Sequence, residues 1–206
     1  MVPPGRRVVL VPGQVEDDAS IRTGAGAVRT NLALLSAARA AAPGAFVIYK
    51  PHPDVVSGNR IGGISADAAR GLCDRIEIGA TLARCLEVCD EVHTMTSLVG
   101  FEALLRDRRV VVYGQPFYAG WGLTEDRAPM QRRGRARSLD ELVAATLLRY
   151  PRYVNPHTRQ FTTPEAVLAL LDAERAADAR GRAIRVPWWR RNLRRLRNVV
   201  EELGHA

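Results

Sequence analysis

The stretch RVVLVPGQVEDDAS, residues 7–20, decides how this chain is read. Its first part, Arg7–Val11, is a short apolar, β-branched run closed by Pro12-Gly13, which predicts a buried strand. The run does not alternate apolar with polar, so both faces of the strand are expected to be covered. Directly after it stand Glu16, Asp17 and Asp18, three successive acids that do not belong in a core. One plain reading is a solvated loop that caps the next helix. The other is a carboxylate aimed into a cleft as general base, metal ligand or covalent nucleophile.

The same grammar repeats along the chain. Strands are expected at Ala45–Tyr49, Arg75–Ile78, Glu91–Thr94 and Arg109–Tyr113. Helices are expected at Val28–Ala41, Ala66–Leu72, Ala80–Val88 and Ser97–Arg106, the last capped by Thr96 or Ser97. Ser138–Arg149 and Thr163–Ala179 also read as helices. Continuously apolar strands alternating with helices imply an α/β fold with a Rossmann-like parallel sheet covered on both faces. Such sheets take their ligands at the carboxyl ends of the strands. Residues 1–172 are read as this nucleotide-sugar-binding domain, and 173–206 as a basic, amphipathic helical tail carrying Trp188 and Trp189.

Three further strand ends carry chemistry. After the second comes Lys50-Pro51-His52-Pro53-Asp54, where two prolines restrict the backbone around His52. That imidazole can donate to a phosphate or act as an acid, and Lys50 adds positive charge. After Glu91–Thr94 come Thr96 and Ser97. Their hydroxyls, with free N–H groups at a helix start, make an anion site or a simple cap. Glu102, in the same helix, can accept from ribose hydroxyls. After the last strand comes YGQPFYAGWGLTED, residues 113–126, a loop of aromatics among glycines. It can order over a ligand, or plug the sheet edge.

Composition narrows the classes. With 47% hydrophobic and 25% charged residues the chain is globular rather than disordered. Its net charge of +8 favours anionic partners. A basic nucleic-acid binder has only that charge in its favour, and the clustered strand-end residues argue against it. No P-loop, GxGxxG or metal-ligand spacing is present, and neither a metal nor a cofactor is expected. Cys73, Cys85 and Cys89 are read as thiols, the last two buried on a helix. The sequence holds no signal peptide and no apolar run of about 18 residues, so a reducing, cytoplasmic setting is expected. The Arg-Trp tail is either a surface helix or an amphipathic contact with the anionic inner membrane.

The runs VPGQVEDDAS (11–20), KPHPDV (50–55), HTMTSLVGFEALLR (93–106) and YGQPFYAGWGLTEDR (113–127) resemble the KpsC/LipB-type capsule polysaccharide proteins. The resemblance spans about residues 7 to 172 and continues through RRGRARSLDELVAATLLRYPRYVNPHT (132–158). It implies a retaining β-Kdo glycosyltransferase that uses CMP-Kdo and a lipid-linked Kdo acceptor. It also implies GT-B architecture, of which this chain would be the donor-binding half. Asp18 then matches the nucleophile, with Asp17 as the alternative in the same acidic run. His52 and Pro53 match a His-Pro motif on the CMP phosphate. Gln14, Lys50, Thr96, Ser97 and Glu102 are the further donor-binding candidates, and Tyr118 and Trp121 the acceptor or sugar contacts. The family's catalytic module has an acceptor-side subdomain before the first strand. The chain is therefore expected to be part of an enzyme that needs that subdomain or a capsule-assembly partner. A catalytically inactive CMP-sugar-binding module is the other reading.

Overall fold

Val8–Pro12 forms β1, buried along its whole length as a non-alternating run should be. The computed structural model describes residues 3–131 and 133–179. After β1 come α1 (Ala19–Gly24), α2 (Asn31–Ala41), β2 (Phe46–Lys50), α3 (Pro53–Val56), α4 (Ala66–Ala69) and β3 (Arg75–Ile76). Then follow α5 (Leu82–Val88), β4 (Glu91–Thr94), α6 (Val99–Leu104), β5 (Arg109–Val112), β6 (Glu125–Asp126) and α7 (Leu139–Val143). Among the described residues, β1 to β6 build one sheet in the order β3-β2-β1-β4-β5-β6. Every neighbouring pair is parallel. This is the doubly wound order, and the crossover direction reverses between β1 and β4, where such sheets open a crevice.

Side-chain parity splits the core. Val8, Leu10, Ile48, Val92 and Val110 pack with Leu86 of α5 and Phe101 of α6 on one face. Val9, Val11, Val47, Tyr49 and Val111 pack with Leu34, Leu35 and Ala38 of α2 on the other. Each fully buried aliphatic side chain contributes roughly 1.5–3 kcal/mol, so the central strands anchor the domain.

Hydroxyls set most helix starts. Thr30 accepts from Ala33 N, Thr81 from Arg84 N, and Ser138 forms a capping box with Glu141. The start of α6 differs from expectation: its N-cap is Leu98, with no side-chain cap bond. Thr94 Oγ1 accepts from Ser97 N and Ser97 Oγ from Val99 N, so the hydroxyls hold the turn before the helix. The expected Ser138–Arg149 helix also divides: after α7, Ala144–Arg149 is π-helical. Pro151 follows, and a proline disfavours α geometry in the residue before it.

The chain divides into two compact units, Met1–Ala144 and Ala145–Ala206. In the second, β7 (Tyr153–Val154) and β8 (Phe161–Thr162) pair antiparallel and α8 runs Pro164–Ala179. Asn155 Oδ1 closes the hairpin by accepting from His157 N and Thr158 N. Residues 180–206 of the expected amphipathic tail lie outside the described residues. No described helix is long and apolar enough to cross a membrane.

Candidate active site at the sheet crossover

The loop after β1 is held by a residue that sequence reasoning passed over. Asn31, at the first position of α2, is 1% exposed. Its Oδ1 accepts from Gln14 N, and its Nδ2 donates to the carbonyls of Gln14 and Gly62. Its own N–H donates to Glu16 Oε1. A short polar residue at a helix start, seventeen positions after Gln14, carries no local signal that it will clamp the loop.

Gln14 in turn ties β1 to β4. Its Oε1 accepts from Thr94 Oγ1, Met95 N and Thr96 N, and its Nε2 donates to Thr96 Oγ1. With the residue 6% exposed and both ends of its side chain engaged, Gln14 organises the crevice whose wall it also lines. The expected free N–H groups before α6 are also taken. Met95 and Thr96 donate to Gln14, Ser97 to Thr94, Val99 to Ser97, and Gly100 to the Ser97 carbonyl. What borders the cleft there is the Thr96 and Ser97 hydroxyls, together with Leu98.

A directed hydrogen-bond chain runs from this clamp to Asp18. Gln14 Nε2 donates to Thr96 Oγ1, Thr96 to Ser20 Oγ at 3.4 Å, and Ser20 Oγ to Asp18 Oδ2 at 2.6 Å. Asp18 is also the N-cap of α1, where Oδ2 accepts from Ser20 N at 3.1 Å. Both bonds fall on Oδ2, which leaves Oδ1 for other work. The Ser20 hydroxyl and N–H hold the Asp18 carboxyl below its ordinary range, with the Arg60 charge a smaller contribution. The plain capping reading and the cleft reading of the acidic run therefore both apply to Asp18. Asp17 instead pairs with Arg60, at 3.2 Å.

A Ser20→Ala variant checks this chain. The Asp18 pKa is expected to rise toward that of a free carboxylate, and the acid limb of any Asp18-dependent rate to move up in pH. A lowered carboxylate pKa stabilises the fold above the unfolded value and is lost as pH falls through the folded one. The acid side of the stability curve should therefore shift too, as read by NMR titration of Asp18 and by melting.

His52 stands as the N-cap of α3, with its Nδ1 accepting from Asp54 N at 3.2 Å. That bond places the neutral ring's proton on Nε2. Pro53 is the first residue of α3. Gly13 lets the two strand ends meet: a Cβ there would lie 2.8 Å from Tyr49 Oη and 3.1 Å from His52 N.

These groups border one open cleft of about 490 Å³. Gly13, Gln14, Val15, Asp18, Ser20, His52, Asp54, Arg60, Thr96, Ser97, Leu98 and Phe117 line it. Gln14, Asp18, His52, Thr96 and Ser97 are thus brought together, and Asp17, Lys50, Pro53, Glu102, Tyr118 and Trp121 are not among the lining. Lys50 Nζ donates to the Ala80 carbonyl at 2.6 Å, and Glu102 sits half-exposed on α6, 4.0 Å from Arg106 Nη1. Among the described residues, no group of three or more His, Cys, Asp or Glu is placed to hold a metal ion. The three thiols are unbridged, Cys85 and Cys89 buried.

The aromatic loop behaves as a plug. Tyr118 is 0% exposed, and its hydroxyl donates to the Ser97 carbonyl at 2.5 Å. Its ring fills the space a side chain at Gly100 would need: a Cβ there would lie 2.2 Å from Tyr118 Oη. The expected sugar contact at Tyr118 is therefore corrected to a core residue that braces the Ser97 turn. Trp121 Nε1 donates to the Phe117 carbonyl, and the Arg133 guanidinium lies 5.6 Å from the Trp121 ring centre. The aromatic on the cleft is Phe117, 41% exposed and edge-on to Phe101 and Tyr118.

The chain has clear relatives. A family model described as capsule polysaccharide biosynthesis protein matches residues 2–153. The capsule polysaccharide modification protein LipA of Neisseria meningitidis serogroup A is 55% identical over 166 residues, 81% of this chain and 24% of LipA. The lipopolysaccharide-processing protein LpsZ of Rhizobium meliloti is 49% identical over 151 residues, 73% of this chain and 34% of LpsZ. The chain thus spans about a quarter to a third of the length of these curated relatives. Among solved structures, the β-Kdo 2,7 transferase of Thermosulfurimonas dismutans KpsC superposes with a TM-score of 0.74 at 41% identity, covering 83% of this chain and 55% of that one. The β-Kdo 2,4 transferase of the same protein gives 0.71 at 35% identity, covering 82% and 53%. With the crevice of a doubly wound sheet and this match over most of its length, the chain belongs to the capsule polysaccharide biosynthesis protein family.

Proposed function

We propose that this chain is the donor-side domain of a retaining Kdo transferase that uses CMP-Kdo and a lipid-linked Kdo acceptor. The observation that carries the reading is the meeting of Asp18 and His52 at one cleft, from the ends of β1 and β2. Retention needs two displacements. In the first, Asp18 Oδ1 forms a bond to the anomeric carbon while that carbon's bond to the phosphate oxygen breaks. CMP leaves with the electron pair, and the His52 Nε2 proton offsets the charge developing on its phosphate. In the second, an acceptor hydroxyl attacks the same carbon, its proton passes to solvent water, and the bond to Asp18 breaks with the electron pair returning to the carboxylate. Ser97 and Thr96 hydroxyls face the donor in the cleft, and Phe117 flanks the sugar.

The acceptor side comes from the region these relatives possess and this chain does not cover. The domain works at the cytoplasmic face of the inner membrane, where a basic surface suits an anionic lipid. Titration of the chain with CMP by calorimetry tests the donor reading. Binding is expected, and His52→Ala is expected to weaken it by roughly tenfold, the size of one lost hydrogen bond to a charged group. An absence of CMP binding would discard the reading. The alternative is a CMP-sugar-binding module without turnover. It predicts binding without transfer even when the missing region is supplied.

A further inference from the structure

Arg60 is the one permanently cationic side chain among the described residues that line the cleft. It lies between α3 and α4, in a segment fastened to the loop that carries the acids. Glu16 N donates to the Ile61 carbonyl, Asn31 Nδ2 to the Gly62 carbonyl, and Arg60 N to the Asp54 carbonyl. Gly62 is required for this fit: its φ is +134°, and a Cβ would lie 2.7 Å from both Asn31 Nδ2 and the Gln14 carbonyl. The backbone that carries Arg60 is therefore held beside the acidic run by bonds that do not depend on the ion pair of its side chain.

That ion pair is weakly held. Arg60 Nε and Nη2 both point to the single oxygen Asp17 Oδ1, at 3.3 and 3.2 Å. The two side chains are 40% and 46% exposed, so water screens their attraction. Among the described residues, Nη1 donates to no partner. A planar fork with a free edge is suited to a second oxyanion.

We propose that Arg60 is the receptor for the carboxylate of the donor sugar, an inference that rests on the donor reading above. The chemistry of the sugar selects this group. In a ulosonic acid such as Kdo the carboxylate is borne on the anomeric carbon itself. The nucleophile that attacks this carbon thus approaches a second negative charge. Asp18 and its neighbour Asp17 are both anionic, so a cation facing that carbon is needed to offset the repulsion. Arg60 is the cation next to this run, and it also favours the ionised form of Asp18. Asp17 acts as a placeholder that keeps the fork ordered while the cleft is empty.

The test compares CMP with CMP-Kdo on the purified chain, by calorimetry at constant salt. Arg60→Ala should weaken CMP-Kdo binding by roughly 10- to 100-fold, the loss expected for one charge-assisted contact, and leave CMP binding unchanged. Arg60→Lys should fall between, because it keeps the charge and loses the fork. Melting temperatures equal to wild type keep the comparison free of folding effects. An equal loss for both ligands would make Arg60 a phosphate contact, and no loss for either would make it structural; each overturns the proposal and leaves the donor reading standing. A wild-type chain that binds neither ligand overturns both.

Discussion

Replacing Asp18 by Asn is expected to abolish the proposed sugar transfer, with a fall of at least roughly 10⁴-fold, the outcome for removal of a covalent nucleophile. The assay is Kdo transfer from CMP-Kdo to a Kdo-terminated acceptor, with the chain joined to the further region its relatives carry. Asn is the informative substitution. Asp18 caps α1 through Oδ2, and Ala at an N-cap costs about 0.5–2 kcal/mol. Asn keeps the cap acceptor and removes the anion. Melting of Asp18→Asn should therefore match wild type while turnover is lost. Asp17→Ala should retain turnover, because Asp17 points to Arg60 and does not line the cleft. An Asp18→Asn enzyme that still transfers, or an Asp17→Ala enzyme that does not, would reassign the nucleophile. The lowered Asp18 pKa adds a sign: the carboxylate stays ionised through neutral pH and protonates only below the ordinary carboxylate range.

Tyr118→Ala is expected to cost about 3–5 kcal/mol of stability, the range for emptying a buried aromatic site. For a chain of this size that lowers the melting temperature by roughly 10 °C. The ring touches Phe101 and Phe117, and its loss opens the space beside Gly100. Tyr118→Phe keeps the ring and removes only the hydroxyl, leaving the Ser97 carbonyl with Gly100 N as its donor, at a cost of about 1 kcal/mol. Ligand binding should follow stability in this series. A Tyr118→Phe protein with unchanged melting and sharply weaker CMP-Kdo binding would restore a direct contact.

Much of the fold was legible because its signals are local. Glu91–Thr94 is the strand the sequence predicts, and β1, β2 and β5 shift by one residue at their ends. Each is an apolar or β-branched run between turn residues. The elements that were missed are short. α1 is six residues long, α3 is four and begins at a proline, and β6, β7 and β8 are two residues each. Runs of that length show no periodicity. The strand Glu91–Thr94 was recognised although it carries Glu91 and His93, which became intelligible only through space. Glu91 Oε1 lies 2.6 Å from His93 Nε2, and Tyr113 Oη lies 3.0 Å from His93 Nδ1. Arg7 and Arg109 flank the carboxylate, and the His93 bond lowers its pKa.

The amino-acid sequence by itself determined the parallel sheet and the strand ends at which chemistry gathers, since hydrophobic runs and turn residues act over a few positions. It marked Asp18 and His52 for the same reason. Only the tertiary structure decided which neighbours serve the cleft and which hold it open. Gln14 and Tyr118 are enclosed by residues about 80 and 20 positions away, at Thr94–Thr96 and at Ser97–Phe101. Arg60 and Phe117 reach the cleft only because the β1–β4 crossover brings their loops to one place. A side chain's polar atoms are committed by what surrounds them in space, and that commitment leaves no periodicity or composition to read along the chain.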